Sequence, residues 1–159
     1  MVVISLKPGI RVQVHFQAGS LQRISLFSSS DFVFDPQFCP PDQAKILMDW
    51  LYAYAQGKSL PLSLPLPQNT FQGDVLRFLQ TIPRGSVCSY QDVARGVGRP
   101  RAARAVGNIC RGNPFPLLIP CHRVIRSDGK MGHYTPDPFL KMQLLHFEEA
   151  TLSTVGSTS

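Results

Sequence analysis

Apolar and polar residues alternate through the first third of the chain, with the period of half-buried β-strands. The alternation is strict over residues 11–16, and apolar runs flank it at residues 2–6 and 21–26. Ala18-Gly19-Ser20 has the composition of a turn between two of these runs. The pattern predicts a small antiparallel sheet at the start of the chain.

The spacing of apolar residues changes to the helical period after residue 41 and keeps it to Tyr54. Asp42 is the predicted N-cap of this helix. Residues 60–70 contain three prolines and predict a linker, which divides the chain into domains at 1–69 and 70–150. The Ser/Thr-rich residues 151–159 are expected to be a disordered tail.

The pattern in the second half of the chain predicts helices separated by turns. Residues 75–82 form the first, and Ser89-Tyr90-Gln91-Asp92 resembles a capping box that opens a short second helix. After Gly98-Arg99-Pro100, residues 101–111 form the third, and a last helix begins at Pro138. The second and third helices with their glycine-containing turn predict a helix-turn-helix.

Positive charge is concentrated around this helix pair. The formal net charge is +6, and residues 95–130 hold eight Lys or Arg against a single acid, Asp128. The third helix presents small residues, with Arg104 projecting alone among alanines, so that it can approach a surface closely. An alanine-rich packing helix is the alternative. The cluster favours a polyanionic partner such as nucleic acid, and a solvated basic face without a partner is the alternative.

The sequence shows no features of a membrane-spanning, secreted, disulfide-rich or zinc-binding protein. No apolar run reaches the length of a membrane span, and no secretory signal is visible. The four cysteines, Cys39, Cys88, Cys110 and Cys121, show neither a disulfide framework nor the spacing of a zinc site. We expect reduced cysteines in a cytoplasmic protein, associated with the nucleoid if the source is bacterial.

Cys121 and His122 are adjacent between a proline and apolar residues, in the heptapeptide of residues 119–125. The positive charge of His122 and Arg123 is expected to lower the thiol pKa and raise its reactivity. A buried, inert cysteine in a strand is the alternative, because adjacency in sequence does not place the imidazole on the sulfur.

Several of these segments together resemble the O6-alkylguanine-DNA alkyltransferases, also called methylated-DNA–protein-cysteine methyltransferases. Residues 119–125 resemble the family's active-site signature. Ser89-Tyr90-Gln91, residues 102–107 and residues 111–114 are similar to its helix-turn-helix, recognition helix and asparagine hinge, in the same order and spacing. The resemblance covers residues 71–149. It implies a small N-terminal α/β domain and a mainly helical, winged helix-turn-helix domain that carries the active-site cysteine.

The resemblance implies transfer of an alkyl group, chiefly methyl, from O6 of a flipped guanine in duplex DNA to Cys121, once per protein molecule. The implied catalytic residues are Cys121 as nucleophile, His122 as base and Glu148 as the acid that orients His122. Tyr90 is the implied proton donor to the guanine, and Asn113 is the implied bridge between the recognition helix and the active-site segment. The implied DNA contacts, in the minor groove, come from Tyr90, Ala102, Ala103, Arg104, Arg111 and Ser127. The implied pocket residues are Pro116, Val124, Tyr134 and Thr135.

No metal or other cofactor is implied, and a monomer is expected. O4-methylthymine is allowed as a minor substrate. Two prolines, Pro136 and Pro138, are expected to stiffen the pocket wall, which leaves the acceptance of larger alkyl groups open. The alternative functions are a non-catalytic binder of alkylated DNA, a winged-helix regulator and, more distantly, a Cys-His hydrolase.

Overall fold

The computed structural model describes residues 2–4, 9–37, 39–132 and 137–156. The chain forms two compact units. The first consists of residues 1–64 with 146–159, and the second of residues 65–145. The predicted linker is thus divided between the units, and the first unit also includes the end of the chain.

A four-stranded sheet forms the first part of the first unit. Its strands are β1 (Val2–Ile4), β2 (Ile10–Gln17), β3 (Ser20–Ser28) and β4 (Phe32–Gln37), in the order β1-β4-β2-β3. The β2–β3 pair is antiparallel, as predicted. The β1–β4 pair is also antiparallel, although no strand was predicted at residues 32–37. The β2–β4 pair is parallel, which was not predicted, because β4 opens with three consecutive buried residues and lacks the alternation of a half-buried strand.

Helix α1 (Pro41–Ala55) buries Leu47, Leu51 and Tyr54 at helical spacing. The prediction of Asp42 as its N-cap is wrong. Pro40 occupies the cap position without a side-chain hydrogen bond, and the helix starts on Pro41, whose fixed φ suits a first helical residue.

The last helix, α5 (Pro138–Gly156), starts at the predicted proline. It also includes residues 151–156, so the prediction of a disordered tail is wrong for them. Residues 157–159 lie outside the described part of the chain. Serine and threonine are weak rather than prohibitive in helices, and here they extend a helix that is already formed.

The second unit contains α2 (Phe71–Leu79), α3 (Tyr90–Gly96) and α4 (Ala103–Arg111). The capping box of α3 is confirmed. Ser89 Oγ accepts from the Asp92 amide over 3.0 Å, and the Asp92 carboxylate accepts from the Ser89 amide over 3.3 Å. Helices α3 and α4 pack together as the predicted helix-turn-helix.

The end of the proline-rich segment is attached to α2. The Pro67 carbonyl lies so close to Gly73 that a β-carbon there would collide with it. Arg77 donates to the same carbonyl over 3.0 Å. Glycine is therefore required at position 73 by close backbone approach.

A short parallel pair of strands connects the helix-turn-helix to the cysteine segment. Strand β5 (Cys88–Ser89) pairs with β6 (Val124–Ile125), with Cys88 opposite Val124. Because β5 leads directly into α3 and β6 follows Cys121 by three residues, this pairing brings the first residue of α3, Tyr90, to the cysteine segment.

Candidate active site

Cys121 opens a single 3-10 turn, Cys121–Arg123, and only 4% of its surface is exposed. The side-chain amide of Asn113 donates to its sulfur over 3.1 Å and to the Ile119 carbonyl over 2.9 Å. Asn113 Oδ1 in turn accepts from the Phe115 amide over 3.0 Å. One asparagine therefore fixes both the sulfur and the backbone that precedes it.

The loop between Asn113 and Cys121 contains a residue in an unfavourable backbone conformation. Leu117 has a φ of 78°, in the left-handed region that favours glycine, yet its side chain is buried. The Ile119 amide closes the loop on the Phe115 carbonyl over 2.8 Å. Such a conformation persists only where the surrounding packing holds it, which indicates a rigid loop beneath the cysteine.

The structure corrects the expectation of a lowered thiol pKa. Burial raises the pKa of Cys121, while the Asn113 hydrogen bond and the cationic Lys141 lower it in part. Arg123, expected to supply the charge, instead donates to the Ile82 carbonyl over 2.7 Å. The buried thiol is therefore neutral at physiological pH, and its proton must be removed during any nucleophilic attack.

Lys141 is a functional candidate that is not among the predicted site residues. It lies on α5 and is wholly buried, and its Nζ donates to the carbonyls of Val124 over 2.6 Å and Met131 over 2.5 Å. Burial lowers its pKa, and the thiols of Cys121 and Cys110 oppose that shift. A lysine between Leu140 and Leu144, on the apolar side of the predicted helix, was the available signal, because lysine is almost never fully buried without a specific partner.

Tyr90 is half-buried at the start of α3. Burial, with smaller contributions from Cys110 and Cys121, raises its pKa to about 12, although Arg111 opposes the shift. A β-carbon on Gly132 would lie 3.1 Å from its hydroxyl oxygen. The Tyr90 hydroxyl thus remains protonated and has a glycine beside it, an arrangement that leaves space near a proton donor.

His122 and Glu148 are both wholly buried. His122 follows Cys121 in the second unit, whereas Glu148 belongs to the first unit, where it accepts a hydrogen bond from the Tyr54 hydroxyl over 2.9 Å. Burial of both ionisable side chains is the environment expected for a catalytic acid–base pair. Their mutual pairing stays a prediction.

The second half of the chain is similar to a known protein family. The profile of the family described as "6-O-methylguanine DNA methyltransferase, DNA binding domain" matches residues 70–150. That range covers half of the chain and includes every catalytic residue predicted above. The chain belongs to the 6-O-methylguanine DNA methyltransferase family.

Two relatives of this family bear the name methylated-DNA–protein-cysteine methyltransferase. The mouse protein is 46% identical over 95 residues, which cover 54% of this chain and 45% of the relative. The human protein is 40% identical over 116 residues, which cover 67% of this chain and 56% of the relative. The chain thus spans about half the length of these curated relatives.

A solved structure extends the similarity to the first unit. The crystal structure of Mycobacterium tuberculosis OGT in complex with DNA matches with a TM-score of 0.71 and 30% identity, over 89% of this chain and 93% of that one. The predicted fold class, a small α/β domain followed by a mainly helical domain with a helix-turn-helix, is confirmed.

Within this methyltransferase fold, the predicted DNA-contacting side chains lie at or near the surface. Arg104, Arg111 and Ser127 are exposed, and Ala102 and Ala103 are half-buried. Helix α4 begins at Ala103, with Ala102 as its N-cap, two residues later than predicted. Arg104 is therefore in its first turn, and its side chain is exposed.

The predicted pocket residues divide into two groups. Pro116 and Val124 are both buried, and the Val124 carbonyl is the acceptor for Lys141. Tyr134 and Thr135 lie outside the described residues, as does Pro136.

In the described part of the chain, no three His, Cys, Asp or Glu side chains are grouped so as to hold a metal ion. Likewise, none of the helices in the described residues is long and apolar enough to cross a membrane.

Proposed function

We propose that this protein repairs duplex DNA by transferring an alkyl group, chiefly methyl, from O6 of guanine to Cys121. The observation that carries the proposal is the buried Cys121 thiol held by Asn113 in a chain of the methyltransferase family. O4-methylthymine is the proposed minor substrate.

In the proposed step, the sulfur attacks the alkyl carbon, a carbon–sulfur bond forms, and the bond from that carbon to O6 breaks. His122 accepts the thiol proton, and Glu148 orients His122 and stabilises its charged form. Tyr90 gives a proton to N3 of the departing guanine, which leaves as a neutral base. The proton taken up by His122 then replaces the one that Tyr90 gave up, so overall one hydrogen moves from sulfur to guanine. The thioether that remains has no thiol to react again, so each protein molecule acts once.

The environment of the sulfur supports this chemistry, because it stabilises negative charge as that charge develops. The Asn113 amide and the Lys141 cation both favour the thiolate, while burial disfavours it in the resting protein. Fixed donors aimed at a developing charge are more effective in a dry site than in water. The thiol is thereby protected at rest and stabilised as it reacts.

We further propose that α3 and α4 dock this site on DNA through the minor groove. The small residues of α4 allow close approach, and Arg104 enters the space of the flipped base and offsets part of the unstacking cost, a few kcal/mol. The exposed basic residues would bind phosphates without much sequence preference. A cytoplasmic monomer, associated with the nucleoid in a bacterium, is part of the same proposal.

Mass spectrometry after incubation with duplex DNA that contains O6-methylguanine tests the proposal. We expect one added methyl group on the peptide that contains Cys121, restored guanine in the DNA, and no transfer by Cys121→Ala at similar affinity. Binding by the unaltered protein without a mass change would refute the transfer reaction and favour a non-catalytic binder. Affinity should fall steeply with salt, because phosphate contacts supply most of it.

A further inference from the structure

The Tyr54 hydroxyl donates to Glu148 Oε1 over 2.9 Å within the first unit. Tyr54 comes from α1, Glu148 from α5, and their exposed fractions are 3% and 0%. We propose that Tyr54 is a positioning residue for Glu148, through which α1 takes part in alkyl transfer. This inference rests on the proposed function, in which Glu148 orients His122.

The aromatic ring of Tyr54 is held on two sides. It stacks on Trp50, one helical turn earlier, with centroids 5.5 Å apart and planes 7° from parallel. Phe147, the neighbour of Glu148, packs against it with a centroid distance of 5.6 Å and an angle of 42°. The Trp50 indole donates to the Leu60 carbonyl over 3.0 Å, which fixes the stack in turn. The hydroxyl is therefore presented from a rigid support.

Packing alone does not account for a tyrosine at this position. A phenylalanine would fill the same aromatic space without burying a hydroxyl, and burial of a polar group is unfavourable unless it is hydrogen-bonded. Here the acceptor is a buried carboxylate, and hydrogen bonds to charged groups are among the stronger ones in proteins. The pair is thus specifically polar within an aromatic cluster.

The bond matters for the reaction because a carboxylate orients an imidazole only if the carboxylate itself is held. An ionised carboxylate has about four acceptor positions, so a bond from Tyr54 to one oxygen leaves capacity for an imidazole N–H. Partners that hold a catalytic group in this way limit its rotation and preserve the reactive geometry. Loss of the hydroxyl should therefore slow the transfer step more than it weakens DNA binding.

The test compares Tyr54→Phe with Tyr52→Phe, a matched loss of a hydroxyl from an exposed tyrosine on the same helix. Single-turnover rates and dissociation constants are measured on duplex DNA with O6-methylguanine. We expect Tyr54→Phe to lower the rate constant by about tenfold, the order expected for one hydrogen bond to a charged group, with DNA affinity unchanged. Tyr52→Phe should leave both quantities unchanged.

A double-mutant cycle separates positioning of Glu148 from a general structural role. In a Glu148→Gln background, Tyr54→Phe should cause no further loss of rate. An equal loss in both backgrounds, or a wild-type rate for Tyr54→Phe, overturns the inference. If the unaltered protein takes up no methyl group, the proposed function fails and this inference with it. If it does, and Tyr54→Phe reacts equally fast, only this inference fails.

Discussion

The side-chain amide of Asn113 donates a hydrogen bond to the sulfur of Cys121 over 3.1 Å. The same amide nitrogen also reaches the Ile119 carbonyl, so the asparagine that follows α4 holds the cysteine and its preceding backbone together. This relationship joins the end of the helix-turn-helix to the reactive group, so a change at Asn113 should affect chemistry before it affects binding.

Replacement of Asn113 by Ala should slow methyl transfer at neutral pH by about tenfold or more, the order expected for a lost hydrogen bond to a developing charge. Because that hydrogen bond lowers the pKa of Cys121, its loss raises the pKa further. The deficit should therefore narrow as pH rises and the thiolate becomes accessible. Asn113→Asp, which adds a negative charge, should be slower still. Single-turnover rates across pH provide the measurement, and wild-type rates in both variants would contradict the proposed role.

Replacement of Lys141 by Met should reduce both transfer rate and stability. The change removes the cation that favours the Cys121 thiolate and leaves the carbonyls of Val124 and Met131 without this donor. The unfolding free energy should fall by about 1–3 kcal/mol, the penalty typical of lost buried partners. Urea unfolding and single-turnover kinetics are the measurements. Lys45→Met, which breaks an exposed ion pair, is the control. It should leave the transfer rate unchanged and alter the unfolding free energy by no more than about 0.5 kcal/mol.

The protein should lose stability in alkali. Burial raises the pKa of Cys110 to about 12 from 9.0, with a further contribution from Cys121, and burial likewise raises that of Tyr90 to about 12 from 10.0. Above pH 9 the unfolded chain loses protons that the folded protein retains, so this stability is complete below pH 9 and disappears as pH rises toward 12.

Urea unfolding under reducing conditions, from about pH 8 to about pH 11, measures this decline. Cys110→Ala should flatten it by removing one of the groups whose pKa is strongly raised. Cys39→Ala is the control and should flatten it less, since the pKa of that more exposed thiol is raised less. An unfolding free energy that is constant across this range would contradict the assignment of both groups.

Two glycine-to-alanine changes in helices should have opposite effects on stability. Gly73→Ala forces a β-carbon into the Pro67 carbonyl and should cost about 1–3 kcal/mol, as for overpacking. At Gly107 the nearest atoms, in the Tyr90 ring, are 3.9 Å away, so Gly107→Ala should gain up to about 1 kcal/mol from helix propensity. Thermal and urea unfolding decide between these signs, and equal effects would show that backbone approach at Gly73 is unimportant.

Replacement of Arg104 by Ala should affect duplex and single-stranded substrates differently. If the side chain fills the space of a flipped base, its loss slows transfer from duplex DNA, whereas a single strand has no comparable stack to maintain. Arg95→Ala removes the same charge from an exposed ion pair on α3 and serves as the control. An equal loss of rate on both substrates would indicate that Arg104 acts only as a phosphate contact.

Much of the local structure could be predicted from periodicity and capping residues. Short-range sequence patterns were enough to predict three features, because each involves residues close in sequence. These are the alternation of β2, the capping box of Ser89 with Asp92, and the helical spacing before α3. The candidate residues of the cysteine segment came from the same kind of local information, combined with the family resemblance.

What depended on distant partners could not be predicted in this way. The parallel pairing of β4 with β2, the burial of Lys141 against Val124 and Met131, and the bond from Tyr54 to Glu148 each join elements far apart in the chain. The pKa of Cys121 was misjudged for the same reason. Neighbouring cations in sequence suggested a lowered value, but desolvation, which only the packed structure determines, raises it.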